Sequence, residues 1–564
     1  MVLERPAPSS PPSLDRQLER LRDGAPAFGK SPPSDRVRLL SALKKRFREL
    51  GPRFVELDCL AKGIPQGSPR RGECGFEGPA VTLRYLAELE RSVGGEATID
   101  PSDVRIEDER TKVRALPRDA WERLLFPGWE ADVWLDRTRS SSERIALRPE
   151  ELRPTRAEGE VALVLGAGNV ASISALDVLQ QCFVHGRACL LKVSPVNDYL
   201  GPLFELAFAP LSARGCFSVA YGGPDVGAYL AAHPNVDTIH ITGSYRTHET
   251  IVWGPPGVER EARKARHEPL VGKPVTSELG NVSPAVVVPG DYDSSDIEHA
   301  ARSIVGSFVF NAGFNCNATK LVVTPRNSAL RERLLAAIQR EFEQIPARRA
   351  YYPGAKAAYE RNTHAEGRTV EFGTPGEGEL PWAFVRDLDA TSDAPQFREE
   401  PFCSVLSEVA VASDDPLEFL AEATRFLNDR VFGTLNVMLL VSASSERDPS
   451  VANALDRAVR DLRYGTVGIN VWPAAAYGLG TLPWGGHPSG TLENVGSGLG
   501  VGHNALLLQG VEKSVLRGPL AAFPKPLWYP DHRTLDRVAS GFCDFEADRG
   551  AVNLAKLAMA AVRG

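Results

Sequence analysis

The sequence predicts an α/β fold with parallel sheets in two successive regions, preceded by a helical segment. Short uncharged runs ending in glycine, such as "VALVLGAGN" (161–169), have the pattern of strands buried on both faces. Helical stretches separate these runs through connections of a few residues, as in a βαβ series. At 564 residues the chain is also too long for a single core.

Residues 1–14 are rich in Pro and Ser and are expected to form a disordered tail. From about 15 to 95, "DRVRLLSALKKRFRELGPRFVELDCLA" and "AVTLRYLAELERSV" repeat apolar residues at helical spacing. Residues 100–155 are mixed, with "DVWLDRT" and "RIALRP" as candidate strands. The first alternating region follows: strand "VALVLGAGN", a helix at 175–186, strand "ACLLKVSP", helix "YLGPLFELAFAPL", strand "FSVAYGG", helix "PDVGAYLAAH" and strand "VDTIHITGS". A parallel sheet with helices on both faces satisfies this order.

The second region begins near 275 with "PAVVV", a helix at 294–310, "TKLVVTP", a helix at 327–343, "FCSVLSEVAVA", "PLEFLAEATRFLN" and "GTVGINV". Within it the polar, Gly/Pro-rich stretch at 365–397 reads as a surface excursion. The last ~80 residues are glycine-rich, then helical at 550–562.

A net charge of −7, with basic clusters interleaved by acids, gives no reason to expect nucleic acid or an anionic membrane as partner. No run of about 18 uncharged apolar residues occurs, and the N-terminus lacks the apolar core of a signal peptide. Eight cysteines without a CxxC pair or metal-ligand spacing point to reduced thiols, a cytoplasmic setting and no metal.

In an open parallel sheet, ligands bind where strands run out into helices. Four such ends are "GAGN" (166–169), "KVSP" (192–195), "YGG" (221–223) and "TGS" (242–244). Their glycines admit a phosphate to the backbone, Lys192 brings a positive charge, and Ser194 and Ser244 bring hydroxyls. "GAGNVA" lacks the third glycine of G-x-G-x-x-G, so ordinary turns remain the alternative. Glu278 in "VTSELGN" precedes Cys316 in "NAGFNCNA" by 38 residues. A thiol becomes a nucleophile when a neighbour takes its proton, and a carboxylate is able to do that or to activate water. From these residues alone, Cys316 as a buried small side chain and Glu278 as a surface acid stay open.

Taken in order, the elements resemble the aldehyde dehydrogenase superfamily. The set is Asn169 after the first strand, Lys-x-Ser-Pro, Gly-Gly, Thr-Gly-Ser, Glu-Leu-Gly and Asn-x-Gly-x-x-Cys, then "EEPFCSVL", "GTVGIN", "LPWGGHPSG" and "LLLQGVEKSV". Coverage is roughly residues 140–520. The resemblance implies a Rossmann-type cofactor domain plus an α/β catalytic domain, with a small oligomerisation segment. It divides the chain into N-terminal helices and a dinucleotide-binding domain (15–275), a catalytic domain (276–475) and a C-terminal segment (476–564). It also implies NAD or NADP as cofactor, a small aldehyde as substrate, and a homodimer or homotetramer.

By the same resemblance Cys316 attacks the aldehyde, and the Cys316 N–H and the Asn169 amide face the oxyanion. Glu278 activates the hydrolytic water. Lys192 holds the adenosine ribose, Ser194 belongs to the cofactor-binding set, and Gly223, Gly243 and Ser244 line the pyrophosphate. Glu400 and Phe402 fix the nicotinamide ribose and ring. Glu493 stands as a second acid near the water path, and Phe314 and Trp484 as aromatic walls. Departures mark a divergent branch. "GAGNVAS" lacks the prolines usual around the asparagine, Asn281 replaces a glycine, "GFN" precedes the cysteine, and the chain between "TGS" and "ELG" is longer than usual. Pro195, where a glutamate would repel a 2′-phosphate, leaves NADP admissible. Two alternatives remain: a CoA-linked acylating enzyme on the same fold, and a non-catalytic structural or binding protein.

Overall fold

Four apolar runs of the first region, Val161–Leu165, Ala188–Lys192, Phe217–Ala220 and Thr238–Gly243, and Val275–Leu279 from the start of the second, pair in parallel in a six-stranded sheet. In this computed structural model, which describes residues 3–95, 99–107, 110–136 and 159–564, the order across that sheet runs from Gly498–Leu499 through 275–279, 238–243, 161–165 and 188–192 to 217–220. The short strand Gly498–Leu499 lies antiparallel beside Val275–Leu279, bringing the C-terminal part of the chain back to this sheet.

The second sheet has eleven strands among the described residues. Its centre is parallel: Pro284–Val287, Leu321–Pro325, Val405–Val411, Asn436–Leu440 and Thr466–Ile469. Val511–Arg517 continues it on one side, and Glu130–Leu135 and Arg110–Leu116 extend it antiparallel. Among the candidate strands of 100–155, the run at 132–135 falls in Glu130–Leu135; "RIALRP" (144–149) lies outside the described residues.

Two expectations need correction. The 365–397 stretch is no mere surface excursion: Arg368–Phe372 and Trp382–Leu388 form the other edge of the large sheet, with Trp382 and Phe384 fully buried. The Gly/Pro-rich "GTPGEGELP" is the link between two strands and masked their alternation. Nor is the N-terminal segment a disordered tail. Residues 3–10 lie extended over the first sheet, where the Ser9 N–H donates to the Tyr221 carbonyl (3.0 Å) and Arg5 pairs with Asp198 (2.9 Å). A helix, Pro11–Gly29, follows and buries Leu14, Leu18, Leu21 and Phe28. Proline suits the first turn of a helix, where its missing N–H leaves no hydrogen bond unmade, so this Pro-rich start is a helix signal.

The helices Pro33–Lys62 and Val81–Gly94 and the C-terminal helix Leu535–Ala547 pack together. Beside their apolar contacts, Val81–Gly94 and Leu535–Ala547 meet in a buried ionic cluster. Arg84, fully buried, reaches Glu546 (3.0 Å), Glu88 (3.4 Å) and Glu122, and donates to the Leu479 carbonyl (3.1 Å). Arg118 (3.1 Å) and Arg549 (2.6 Å) close on Glu88, whose carboxyl they and Arg84 hold down at about 2 against its burial. Among the described residues no helix is long and apolar enough to cross a membrane.

Removing one member of a buried ionic cluster strands the others in a low dielectric. Arg84→Met is expected to lose about 3–5 kcal/mol of stability, read as a lower urea midpoint of the whole-chain transition.

Candidate active site

Between the carboxyl ends of the six-stranded sheet and the loops of the second sheet lies a cleft of about 2080 Å³. Asn169, Lys192, Ser194, Gly243, Ser244, Glu278, Cys316, Glu400 and Phe402 all line it. Each is placed by its local chain. Asn169 ends the turn between strand Val161–Leu165 and helix Ala171–Leu179. That turn is tight: a Cβ at Gly166 would stand 2.3 Å from Ser174 Oγ, and one at Gly168 2.5 Å from Ser194 Oγ. Ser244 caps the helix Tyr245–Trp253, its Oγ accepting from the Thr247 N–H (3.1 Å).

Glu278 sits within strand Val275–Leu279 and is buried. Trp484 Nε1 donates to its Oε1 (3.4 Å), and the Cys316 thiol hydrogen-bonds the same carboxylate. Burial, with the charge of Asp177 added, pushes the Glu278 carboxyl up to about 7, against the pull of these two hydrogen bonds. The Cys316 thiol is pushed well above its ordinary value, first by burial and then by the nearby Glu278 and Glu400 carboxylates. Asn169 Nδ2 donates to the Phe314 carbonyl (3.0 Å), which uses one of the two amide hydrogens.

Glu400 lies directly over Gly280, where a Cβ would come within 2.0–2.3 Å of its carboxyl group, so only glycine leaves room. Burial pushes the Glu400 carboxyl up to about 8, with Lys320 opposing, and its Oε1 is buried without a hydrogen-bond partner.

Other expectations land differently. Gly223 precedes the helix Pro224–Ala232, and it is Pro224 and Gly227 that line the cleft. Glu493 lies at the surface, hydrogen-bonded to His267 (2.8 Å), outside the cleft lining. Phe314 is buried beneath the lining, against Tyr351, Tyr352 and Phe402, and Trp484 acts on Glu278 rather than as a wall. Asn281, in place of the usual glycine, is tied in: its Oδ1 accepts from Ser283 Oγ (2.6 Å), and Ser283 Oγ also reaches the Cys316 carbonyl (2.8 Å).

Sequence reasoning missed Glu73 and Glu77. Glu77 Oε1 accepts from Asn315 Nδ2 (2.9 Å), and Glu73 Oε2 accepts from the Asn311 N–H (3.1 Å). Their only signal is two acids four residues apart among small residues in "RGECGFEGPA".

The model of the aldehyde dehydrogenase family matches residues 169–498. The chain belongs to the aldehyde dehydrogenase family. A putative aldehyde dehydrogenase of Staphylococcus aureus (strain MSSA476) is 26% identical over 332 residues, 55% of this chain and 61% of that protein. The match thus spans about three-fifths of the length of that curated relative. The crystal structure of NADP-dependent glyceraldehyde-3-phosphate dehydrogenase from Bacillus halodurans C-125 complexed with NADP has a TM-score of 0.60 at 20% identity, covering 90% of this chain and 91% of that one. Gamma-glutamyl-gamma-aminobutyraldehyde dehydrogenase from Burkholderia cenocepacia J2315 has a TM-score of 0.61 at 20% identity, covering 92% and 90%. These structures share the fold of this aldehyde dehydrogenase family member.

Because Glu278 raises the thiol's pKa, Glu278→Gln is expected to lower it. Alkylation of Cys316 by iodoacetamide at pH 8, followed by peptide mass spectrometry, should then be faster than in the unaltered protein.

Proposed function

We propose that this protein oxidises an aldehyde to a carboxylic acid with NAD or NADP, Cys316 carrying the acyl group between the two half-reactions. The observation that supports it most is the half-buried Cys316 thiol against the Glu278 carboxyl, which burial pushes up to about 7, in a cleft shared with the Asn169 amide.

The cleft fits a dinucleotide. A Cβ built at Gly227 or Gly243 meets nothing within 4 Å, so both open onto free space. Helix Tyr245–Trp253 begins at Ser244 on the cleft, which suits a pyrophosphate, and Lys192 adds a cation. The unpartnered Glu400 Oε1 suits a ribose hydroxyl, and Phe402 offers a face to the nicotinamide. At position 195 no carboxylate opposes a 2′-phosphate: the Pro195 carbonyl accepts from Arg5 Nη1 (2.6 Å), so either dinucleotide is accommodated. A bound NAD or NADP supplies the hydride acceptor.

The residues then act in turn. Ionised Glu278 takes the Cys316 proton and passes it to solvent; the sulfur bonds to the aldehyde carbon, and the carbonyl π pair moves onto the oxygen as negative charge. The Cys316 N–H and the second hydrogen of the Asn169 amide donate to that oxygen; donors of this kind contribute roughly 3 kcal/mol each to the barrier. Loss of hydride re-forms the carbonyl as a thioester. Glu278 takes a proton from water, whose oxygen attacks the thioester and releases the acid and the Cys316 thiolate. The presence of Glu278 against the thiol favours water over CoA as the acyl acceptor.

Following NAD(P)H absorbance across an aldehyde panel, with and without CoA, tests this. Turnover is expected without CoA and is expected to fall to background in Cys316→Ser; strict dependence on CoA, or turnover surviving in Cys316→Ser, would overturn the reading. Only the ionised Glu278 accepts a proton, so kcat is expected to climb about tenfold per pH unit below 7 and to level off above it.

A further inference from the structure

We propose that Glu77 and Glu73, from the N-terminal helical region, are positioning residues that hold the Cys316 loop in its working shape. This rests on the reading of Cys316 as the nucleophile. Both acids lie outside the stretch, 169–498, that matches the family.

The loop needs an outside hold. Asn311, Ala312 and Gly313 adopt φ of 53°, 56° and 81° in succession, and two of the three carry a Cβ that disfavours this region. Such a segment persists only where its surroundings over-determine it. Buried backbone N–H groups need acceptors, and that of Asn311 takes one from outside the preceding helix, Ser294–Val309.

The N-terminal region supplies them. The Asn311 N–H donates to Glu73 Oε2 (3.1 Å), and Arg348 Nη1 clamps that carboxylate from the other side (2.8 and 2.9 Å). Asn315, the residue before the nucleophile, donates from Nδ2 to Glu77 Oε1 (2.9 Å). Glu77 Oε2 faces Lys62 (3.4 Å), which pairs with Asp58 (2.9 Å), which in turn accepts from the Tyr199 hydroxyl (2.9 Å). Asn311 Nδ2 ties the same loop to the Asn169 carbonyl (3.0 Å) and to Asn315 Oδ1 (3.1 Å). A line of buried hydrogen bonds therefore runs from helix Pro33–Lys62 to both sides of the reacting centre. Glu77 and Glu73 touch no reacting atom; they act through Asn315 and Asn311.

Three variants test this: Glu77→Ala, Glu77→Gln, which keeps an oxygen acceptor for Asn315, and Asn315→Ala, which removes the loop's side of the bond. Two readouts are used, steady-state kinetics and the alkylation rate of Cys316 by iodoacetamide, the second independent of turnover. Glu77→Ala is expected to lose about ten- to a hundredfold in kcat, as suits a lost hydrogen bond to a charged group. The aldehyde KM and the dinucleotide Kd should stay within about twofold, and Cys316 should alkylate at least about threefold faster as the loop relaxes. Glu77→Gln should restore most of the loss. Asn315→Ala should match Glu77→Ala, and the double variant should be no worse than either, because one bond is lost in all three. Unchanged kcat and alkylation in Glu77→Ala would overturn the proposal, and so would losses that multiply in the double variant. Equal loss in Glu77→Ala and Glu77→Gln together with a lowered Tm would also overturn it. If Glu77→Ala does not fold, Asn315→Ala decides by the same two readouts. Turnover that survives in Cys316→Ser sinks the nucleophile reading, whereas the alkylation rates report on the loop alone.

Discussion

Three acids, Cys316, Glu278 and Glu400, share one cleft, and each makes it harder to charge the next. Burial lifts all three; the Glu278 charge lifts Glu400, and both carboxylates lift the thiol. In a low dielectric a negative charge on one member raises the cost of charging its neighbour steeply. The Glu278 charge, when present, holds the thiol's pKa up and favours its protonated form. Proton position and sulfur reactivity are thus coupled: whatever removes the charge of Glu278 frees the sulfur. Lys320 is the cation set against Glu400, and it has a second task. Its ammonium, lowered to about 8 by burial, donates to the Gly313 carbonyl (2.5 Å) and the Cys403 carbonyl (2.8 Å). The charge that offsets the carboxylates also ties down the loop that carries the thiol.

That balance depends on where the backbone places Glu278, and the placement is a matter of close approach. Strand Val275–Leu279 is flanked by Gly498–Leu499, and a Cβ at Gly498 would lie 2.0 Å from the Ser277 carbonyl oxygen. Gly498 also has φ of 125°, so glycine is required there twice over. The Trp484 backbone pairs with Gly502 across the same C-terminal excursion, which sets its indole over the Glu278 carboxylate. Glycine-rich sequence near 480–502 is therefore a condition of the site rather than loose connection. In the same way the bare backbone of Gly280 leaves room for Glu400.

Much of this was legible in the sequence where a residue answers to its own neighbours. Strands such as "VALVL" and "ACLLK" are buried on both faces, and their composition says so without further help. Cys316, Glu278 and Asn169 stood out because the resemblance orders them along the chain. What escaped notice depends on partners far away in sequence. Glu77 and Asn315 are separated by 238 residues, and neither has a local pattern that names the other. The strands Arg368–Phe372 and Trp382–Leu388 were hidden because the glycines and prolines of their connection dominate the composition of the stretch. The first turn of helix Pro11–Gly29 was hidden because proline reads as a breaker in bulk, though it begins a helix well. Phe314 was misplaced because adjacency to a reactive thiol does not decide on which side of the backbone a ring points.

The N-terminal helices use carboxylates where apolar side chains would fill the same space at little or no loss of stability. Apolar packing, however, offers nothing to an N–H. The Asn311 N–H takes its acceptor from outside its own helix, and a buried donor left unpaired costs about 1–3 kcal/mol. An ionised acid brought in from elsewhere is a directional acceptor, and it holds only if a cation keeps it ionised. Burial lifts Glu77 to about 7, and Lys62 and Asn315 are the two influences that pull it back. Lys62 and Arg348 are thus as necessary to the loop as the acids they face. The region outside the family match is in this sense continuous with the site: its charges are arranged so that the Asn311 N–H and the Asn315 amide have acceptors.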